Sequence, residues 1–328
     1  MKKCIALVTG GFSRESEISY QSAATIEKHI DTDKYQYYLI DISPAGWLYT
    51  DEQGEKINID KNDFSLTLNN QKIVFDTVLM CIHGTPGEDG KLQGYFDMLH
   101  IPYTCCNASV SALTFNKRDT IALAGYSGIE VSKSVMLLNH ESTIPDEAIK
   151  KLQFPVFVKP NNGGSSIGMS KVLKYSEEIG IAIDKAFAED NQVLVEEFIS
   201  GRELTIGVFN NGEKIITLPI TEIISKNEFF DFNAKYKGES AEITPAEITE
   251  EMAEAVRDAA KKIYAIFNCK GIVRIDFIFD EKKNVPVMLE INTVPGQSAA
   301  SLIPQQVAAM GWNLKEFYTA LIEASFLK

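Results

Sequence analysis

The sharpest alternation of apolar and polar positions lies late in the chain, over Gly271–Asn292. It reads G-I-V-R-I-D-F-I-F-D, then E-K-K-N, then V-P-V-M-L-E-I-N. Two β-branched and aromatic runs flank a polar turn, a pattern that predicts a β-hairpin. Side chains alternate faces along a strand, so Arg274 and Asp276 share one face, and Glu290 and Asn292 share one face of the partner. With Glu281–Val285 as the loop, Asp276 lies directly opposite Glu290. Like charges paired across a sheet cost about 0.2–1 kcal/mol, and more on an apolar face, so a positive group is expected between them. Two carboxylates and an amide oxygen form a hard ligand set that suits Mg²⁺ shared with substrate phosphates. A solvated hairpin face with ordinary acids is the alternative.

The same patterning lays out the rest of the chain. Cys4–Thr9 predicts a buried parallel strand, Gly10-Gly11 a turn, and Ser16–His29 a helix, an arrangement that binds ligands in α/β sheets or simply makes a tight turn. Glu15 and Glu17 stand at the helix start, where the dipole welcomes negative charge. Tyr37–Ile42, Trp47–Tyr49, Phe64–Leu68 and Thr77–Ile82 read as strands, the last running into H-G-T-P-G-E-D-G at His83–Gly90. Strand carboxyl ends are where open α/β sheets bind ligands; His83 can equally be a satisfied structural histidine. Leu92–Leu99 reads as a helix and Ile101–Thr104 as a short strand.

Lys117 opens a helical region, and Phe154–Pro160 is a strand carrying Lys159. Asn161–Gly168, N-N-G-G-S-S-I-G, follows it, either as a phosphate-binding loop or as a flexible hairpin loop. Glycines let backbone N–H groups approach phosphate oxygens, and a lysine at the preceding strand end adds charge. Gln192–Phe198 is a strand that turns acidic at its end, and Leu204–Phe209 is the next. Phe229–Gly238 has no clear period and reads as a long loop with a lid role. Ala246–Asn268 and Trp312–Phe326 are amphipathic packing helices.

At 328 residues the chain is long enough for two or three domains. Its 45% apolar and 23% charged residues are those of a soluble globular protein. A net charge of −13 argues against nucleic acid or an anionic membrane as the main partner, so an anionic substrate needs local basic residues. Five cysteines without C-x-x-C spacing point to reduced, buried thiols in the cytosol. The apolar run after Met1-Lys2-Lys3 is too short for a signal peptide, and no stretch is apolar enough to span a bilayer.

Taken in order, G-G-F-S-R-E-S-E-I-S, H-G-T-P-G-E-D-G-K-L-Q-G, I-P-Y-T, N-K-R-D-T, P-V-F-V-K-P-N-N-G-G-S-S-I-G, S-G-R-E-L-T, A-K-Y, R-I-D-F and L-E-I-N-T-V-P-G with S-L-I-P closely resemble the D-alanine–D-alanine ligases of the ATP-grasp superfamily. The resemblance runs through nearly the whole chain. It implies an α/β, three-domain ATP-grasp architecture with a parallel-sheet N-terminal domain, divided at about 1–116, 117–200 and 201–328. It also implies ATP-dependent joining of two D-alanine molecules through an acyl phosphate, for peptidoglycan precursors. D-lactate or D-serine as the second substrate is the runner-up, against which Tyr236 argues.

Residue by residue, the resemblance gives Lys117 and Lys159 phosphate contacts, places Ser165 and Ser166 in the closing glycine-rich loop, and makes Glu196, Glu197, Phe198 and Ile199 the adenine linker. Glu203 becomes the ribose ligand, and Lys235 stands beside the γ-phosphate. Asp276, Glu290 and Asn292 become ligands of two Mg²⁺ or Mn²⁺ ions. Glu15 holds the ammonium of the first D-alanine, Ser301 and Leu302 hold the carboxylate of the second, and His83 lies in the substrate-side loop. Tyr236 is the lid tyrosine that reaches Ser165 and Glu15, while Arg274 and the Gly296 N–H stabilise the tetrahedral oxyanion. A cytoplasmic homodimer is implied as well. Two departures stand out: Gln297-Ser298, where methionine and threonine are usual, and Glu197, where lysine is common. Ser43–Phe75 is left unassigned.

Overall fold

The computed structural model describes residues 2–139, 146–164, 167–225 and 240–327. Strand β1 (Lys3–Gly10) is apolar along most of its length because it is buried on both faces from Ile5 onward. It pairs in parallel with β2 (Tyr35–Ser43) and β7 (Thr77–Met80), and helix α1 (Ser16–His29) makes the crossover. Strands β3 (Gly46–Thr50) and β4 (Lys56–Asn58) extend the sheet antiparallel, giving the order β4-β3-β2-β1-β7. The expected strand at Ile101–Thr104 reduces to a single parallel bridge between Val78 and Tyr103. Pro102 contributes its carbonyl there, accepting from Val78 N, but has no N–H to return.

Within the unassigned Ser43–Phe75 stretch, β3 and β4 lengthen the sheet, and β5 (Leu66–Leu68) and β6 (Gln71–Ile73) form a two-stranded hairpin of their own. Phe64, expected to be strand, instead turns into the hairpin with φ +52° and is fully buried. Its ring packs edge-on against Trp47 and Phe96, at 6.0 and 4.8 Å between centroids, and tilted against Phe75 at 5.4 Å. Aromatic contact area therefore holds the insertion to the first sheet, beside α2 (Lys91–Met98).

Helices α3 (Ala108–Phe115) and α4 (Lys117–Tyr126) follow, capped by Asn107 and Asn116, whose side chains accept from Val110 N and Asp119 N. An antiparallel sheet comes next, ordered β10-β9-β11-β8, from β8 (Ser134–Leu138), β9 (Val156–Pro160), β10 (Ser170–Val172) and β11 (Gln192–Glu197). The short α5 (Asp146–Ile149) and α6 (Glu178–Phe187) bury Ile149, Ile179 and Ile183 against it.

The last sheet is built on β12 (Arg202–Asn210), with β13 (Ile215–Thr217), β14 (Thr221–Ser225), β15 (Ser240–Ile243), β16 (Val273–Asp280) and β17 (Val285–Asn292). Its order is β15-β14-β12-β16-β17, with β13 beside β12. Helix α7 (Glu250–Ile266) buries Met252, Val256 and Ile263 on this sheet, as the amphipathic spacing predicts, with Ala260 rather than Ala259 fully buried between them. Helices α8 (Leu302–Ala309) and α9 (Leu314–Ser325) return to the first sheet, where Ile303, Phe317 and Leu321 share a core with Ile5 and Leu7.

In the hairpin, Asp276 is indeed paired with Glu290 and Arg274 with Asn292. The means differ from expectation. The loop is Glu281–Asn284, one residue shorter, and Asp280 pairs with Val285; the missing residue appears as a β-bulge at Leu289, where the register shifts between Asp276 and Phe277. A bulge re-aims the strand locally, so Leu289, Glu290 and Asn292 all reach one cavity while Met288 stays in the core.

Replacing Phe64 by Ala should cost about 3–5 kcal/mol, the usual range for deleting a buried ring. Urea unfolding of the variant would measure it, and a change below about 1 kcal/mol would contradict the anchoring role of the cluster.

Candidate active site

The carboxyl ends of β1 and β7 and the cavity face of β12–β17 converge on a cavity of about 330 Å³. Glu15, His83, Lys117, Glu203, Arg274, Asp276, Glu290, Asn292, Gly296, Ser301 and Leu302 all line it. The chain thus gathers groups nearly 290 residues apart, from Glu15 to Leu302, around one space.

On the hairpin wall, the positive group demanded by the facing acids is present. Arg274 donates from Nε and Nη2 to the two oxygens of Asp276, both at 2.9 Å. Asn292 Nδ2 donates to Asp276 Oδ2 at 3.0 Å, and Thr205 Oγ1 donates to Oδ1 from the neighbouring strand. Asp276 is buried, so these charge-assisted bonds offset its desolvation. Arg274 and Asp276 stand two apart on β16, which is what permits the two-bond fork.

On the opposite side, Glu15 is wedged between two glycines. A Cβ at Gly84 would lie 2.6 Å from Glu15 Oε2, and one at Gly164 would lie 2.7 Å from Oε1. A side chain at either glycine would displace the Glu15 carboxylate, and at Gly84 the φ of +66° also favours glycine. Lys117, first residue of α4, extends Nζ to the Gly163 carbonyl at 2.5 Å, so it reaches the glycine-rich loop. Asn161, wholly buried, ties that loop to the helix start through Lys117 N at 3.1 Å and Arg118 N at 2.9 Å.

Ser301 occupies the N-cap position of α8 without a side-chain cap bond; the helix's first turn opens into the cavity, and the Ser301 hydroxyl lies 2.7 Å from that of Ser298. A helix start offers unpaired N–H groups and a positive dipole end, a setting for a carboxylate. Gln297 points the other way, into the core: its N–H donates to Ser22 Oγ at 3.0 Å and its Nε2 to the Pro295 carbonyl at 3.2 Å.

His83 lines the cavity with both ring nitrogens engaged by protein. A carbonyl only accepts, so Nδ1–H donates to Val294 O at 2.7 Å, and Nε2 accepts from Ser22 Oγ at 3.0 Å. Burial, outweighing the Val294 bond and aided by the Arg274 charge, lowers its pKa to about 4. The imidazole is therefore neutral and bridges α1, the β7 end and the segment after β17.

Lys159, half-buried, forms an ion pair at 2.9 Å with the buried Glu196 on the adjacent strand, outside the cavity lining. Glu197 accepts from Gln153 N at 2.8 Å, Phe198 packs against Phe157 with Lys171 Nζ 4.3 Å above its ring, and Ile199 is half-buried. Ser165, Ser166, Lys235 and Tyr236 lie outside the described residues, as does the Phe229–Gly238 loop.

Two family models span most of the chain: the D-ala D-ala ligase N-terminus over residues 4–106 and the D-ala D-ala ligase C-terminus over 116–323. The chain belongs to the D-alanine–D-alanine ligase family. Relatives so named include those of Phocaeicola vulgatus, 46% identical over 99% of this chain and 100% of the relative, and Flavobacterium johnsoniae, 45% identical over 98% and 99%. Among solved structures, the VanG D-Ala:D-Ser ligase of Enterococcus faecalis matches at 30% identity with a TM-score of 0.87, over 99% of this chain and 100% of that one. The D-alanyl-alanine synthetase A of Vibrio cholerae matches at 29% and 0.86, over 99% and 98%.

The site of this ligase contains residues that sequence reasoning passed over. Glu88 lines the cavity and accepts from Gly84 N at 2.7 Å and Val294 N at 3.2 Å. Burial, with the nearby Glu15 charge, raises its pKa to about 8, against the lowering effect of those two N–H bonds. Its signal was available as the acid of the glycine-rich H-G-T-P-G-E-D-G turn. Thr205 and Ser22 carried none, since a buried hydroxyl in an apolar run shows its partner only after folding.

The depressed His83 pKa makes stability pH-dependent with a definite sign. Below its unfolded value of 6.5 the unfolded chain takes up a proton that the native histidine refuses until about pH 4, so stability is present above pH 6.5 and falls as pH drops through that window. Thermal melts from pH 7 to pH 4 should show His83→Gln losing less stability than the parent, by up to about 3 kcal/mol. Parallel curves would contradict the neutral buried imidazole.

Proposed function

We propose that this ligase phosphorylates the carboxylate of one D-alanine with ATP and lets the amine of a second attack the resulting acyl phosphate, forming D-alanyl-D-alanine for peptidoglycan precursors. The observation that carries this reading is the single cavity in which Glu15, the Lys117 helix start, the Arg274–Asp276 fork, Glu290 and the Ser301–Leu302 helix start all meet.

We assign roles by what each group can do. Glu15 takes the ammonium of the first D-alanine as a charge-assisted partner. The start of α8 at Ser301 and Leu302 takes the carboxylate of the second. His83, with both nitrogens engaged, holds the substrate-side loop to the segment that follows Asn292. Arg274 and the Gly296 N–H stabilise the oxyanion that forms when the amine attacks. Lys117 and Lys159 serve the ATP phosphates, Glu196 to Ile199 the adenine and Glu203 the ribose. For Lys159 the Glu196 pairing means that its charge is already oriented before nucleotide arrives. Ser165, Ser166, Lys235 and Tyr236 are assigned to closure over phosphates and substrate on the family likeness.

Asp276, Glu290 and Asn292 fit a divalent cation. They are two carboxylates and an amide on facing register positions, and the amide that donates through Nδ2 keeps its oxygen for a ligand role. Among the described residues no three acidic, imidazole or thiol groups converge. Mg²⁺ or Mn²⁺ would thus share its shell with phosphate oxygens and, when bound, would offset charge during phosphoryl transfer. Two such ions are proposed, as are three units at 1–116, 117–200 and 201–328. The free state of all five cysteines supports a reducing, cytoplasmic setting, and a homodimer is the assembly we infer from the family.

D-serine as acceptor is the second reading, supported by the fold match to a D-Ala:D-Ser ligase. The higher identity to D-alanine–D-alanine ligases favours D-alanine. Phosphate release should be fastest with D-alanine alone; faster turnover with added D-serine or D-lactate at neutral pH would overturn the assignment. Asp276→Asn should abolish ligation while the chain still folds, and unchanged activity would remove the cation role.

A further inference from the structure

Gln306 is wholly buried on α8, and its carboxamide makes three bonds to strands of the last sheet. Its Oε1 accepts from Gly207 N at 2.9 Å. Its Nε2 donates to Thr205 O at 3.1 Å and to Thr221 Oγ1 at 3.0 Å.

These bonds fill a break in the sheet. Strand β12 pairs with β14 at Thr205↔Thr221 and with β13 at Val208↔Thr217, three residues on along β12 but four back along the partner. The extra residue falls in Leu218–Ile220, where Pro219 has no N–H to give. Leu218 N still reaches Gly207 O at 2.8 Å, but the N–H of Gly207 lies past the last β14 pair at Thr205 and is met by Gln306 Oε1 instead, while Gln306 Nε2 bonds the Thr205 carbonyl at the ladder's end. The Gln306 amide offers one acceptor and one donor there, as a peptide group of a neighbouring strand would.

The placement matters because of what lies across β12. Thr205 is in register with Asp276 and donates its hydroxyl to that carboxylate, and Gly207 is in register with Arg274. The helix that carries Gln306 begins at Ser301–Leu302, on the cavity. One amide therefore ties the helix start to the strand that backs Arg274 and Asp276.

We propose that Gln306 is a positioning residue that fixes the acceptor-carboxylate site at the start of α8 relative to the Arg274–Asp276 pair. This inference rests on the ligase reading above. A loose helix would move the acceptor's carboxylate, and with it the attacking amine, relative to the oxyanion site. ATP binding would change less, because Lys117, Lys159 and the Glu196–Ile199 segment lie on other elements and only Glu203 shares β12.

Steady-state kinetics of Gln306→Met should raise the KM for the acceptor D-alanine by about tenfold, the scale on which misplaced orienting groups act, with the KM for ATP within about twofold of the parent. Gln306→Glu should stay closer to the parent than Gln306→Met, because a buried carboxyl holds its proton and so keeps the acceptor for Gly207 N and one of the two donated bonds. In the unliganded protein, hydrogen exchange at the Gly207 amide should speed up in Gln306→Met and not in Gln306→Glu. Should Gln306→Met fail to fold, Thr221→Val, which removes one of the three bonds, carries the same test with a smaller rise in acceptor KM. An unchanged acceptor KM in the folded variants, or equal changes in every constant, would overturn the proposal. If the parent makes no D-alanyl-D-alanine, the ligase reading fails instead, while exchange at Gly207 still reports whether the amide clamps the strand.

Discussion

Two carboxylates facing each other across antiparallel strands constrain everything near Asp276 and Glu290. Left alone, the pair would repel in partly buried surroundings. Arg274, two residues away on the same strand, forks onto Asp276, and Thr205 and Asn292 complete the carboxylate's hydrogen bonds from the strands on either side. The wall is thus held by charge-assisted bonds before any substrate arrives. On the proposed reading, a nucleotide-bound cation would take up part of the same negative charge.

Around that wall, the chain closes a cavity by packing distant segments on shared cores. Helices α8 and α9 leave the last sheet and bury Ile303 and Phe317 with Ile5 and Leu7 of the first. This apolar contact brings the Ser301 helix start within the same space as Glu15. The His83 bridge from Ser22 to Val294, and the Glu88 bridge from Gly84 to Val294, then fasten the His83–Gly90 turn to the segment following the hairpin. The His83 bridge is buried and depends on a neutral imidazole, whereas the Glu88 bonds to two N–H groups favour the carboxylate against the burial and the Glu15 charge that raise its pKa.

The two departures from family pattern resolve differently. Gln297 faces the core and is satisfied by Ser22, Pro295 and Tyr318, so a polar residue occupies an apolar position without an unmet bond. Ser298 faces the cavity and keeps a hydroxyl beside Ser301. Glu197 accepts from Gln153 N and so anchors a turn preceding β9.

The sequence by itself determined the elements whose signal is local. Period-two alternation identified β16 and β17, continuous apolar runs identified β1 and β7, and the amphipathic repeat identified α7, because each pattern records which face an element buries. The Asp276–Glu290 opposition was legible for the same reason, although from a five-residue loop rather than from the bulge at Leu289. A bulge and a longer turn leave the same residues opposite one another, and only backbone geometry distinguishes them. Tertiary structure alone decided the Thr205 bond to Asp276, the squeeze of Glu15 between Gly84 and Gly164, the Lys159–Glu196 pair and the Gln306 amide at the ladder's end. Each joins groups on different elements or depends on the exact register between strands, and no local period encodes which distant atom will lie within 3 Å.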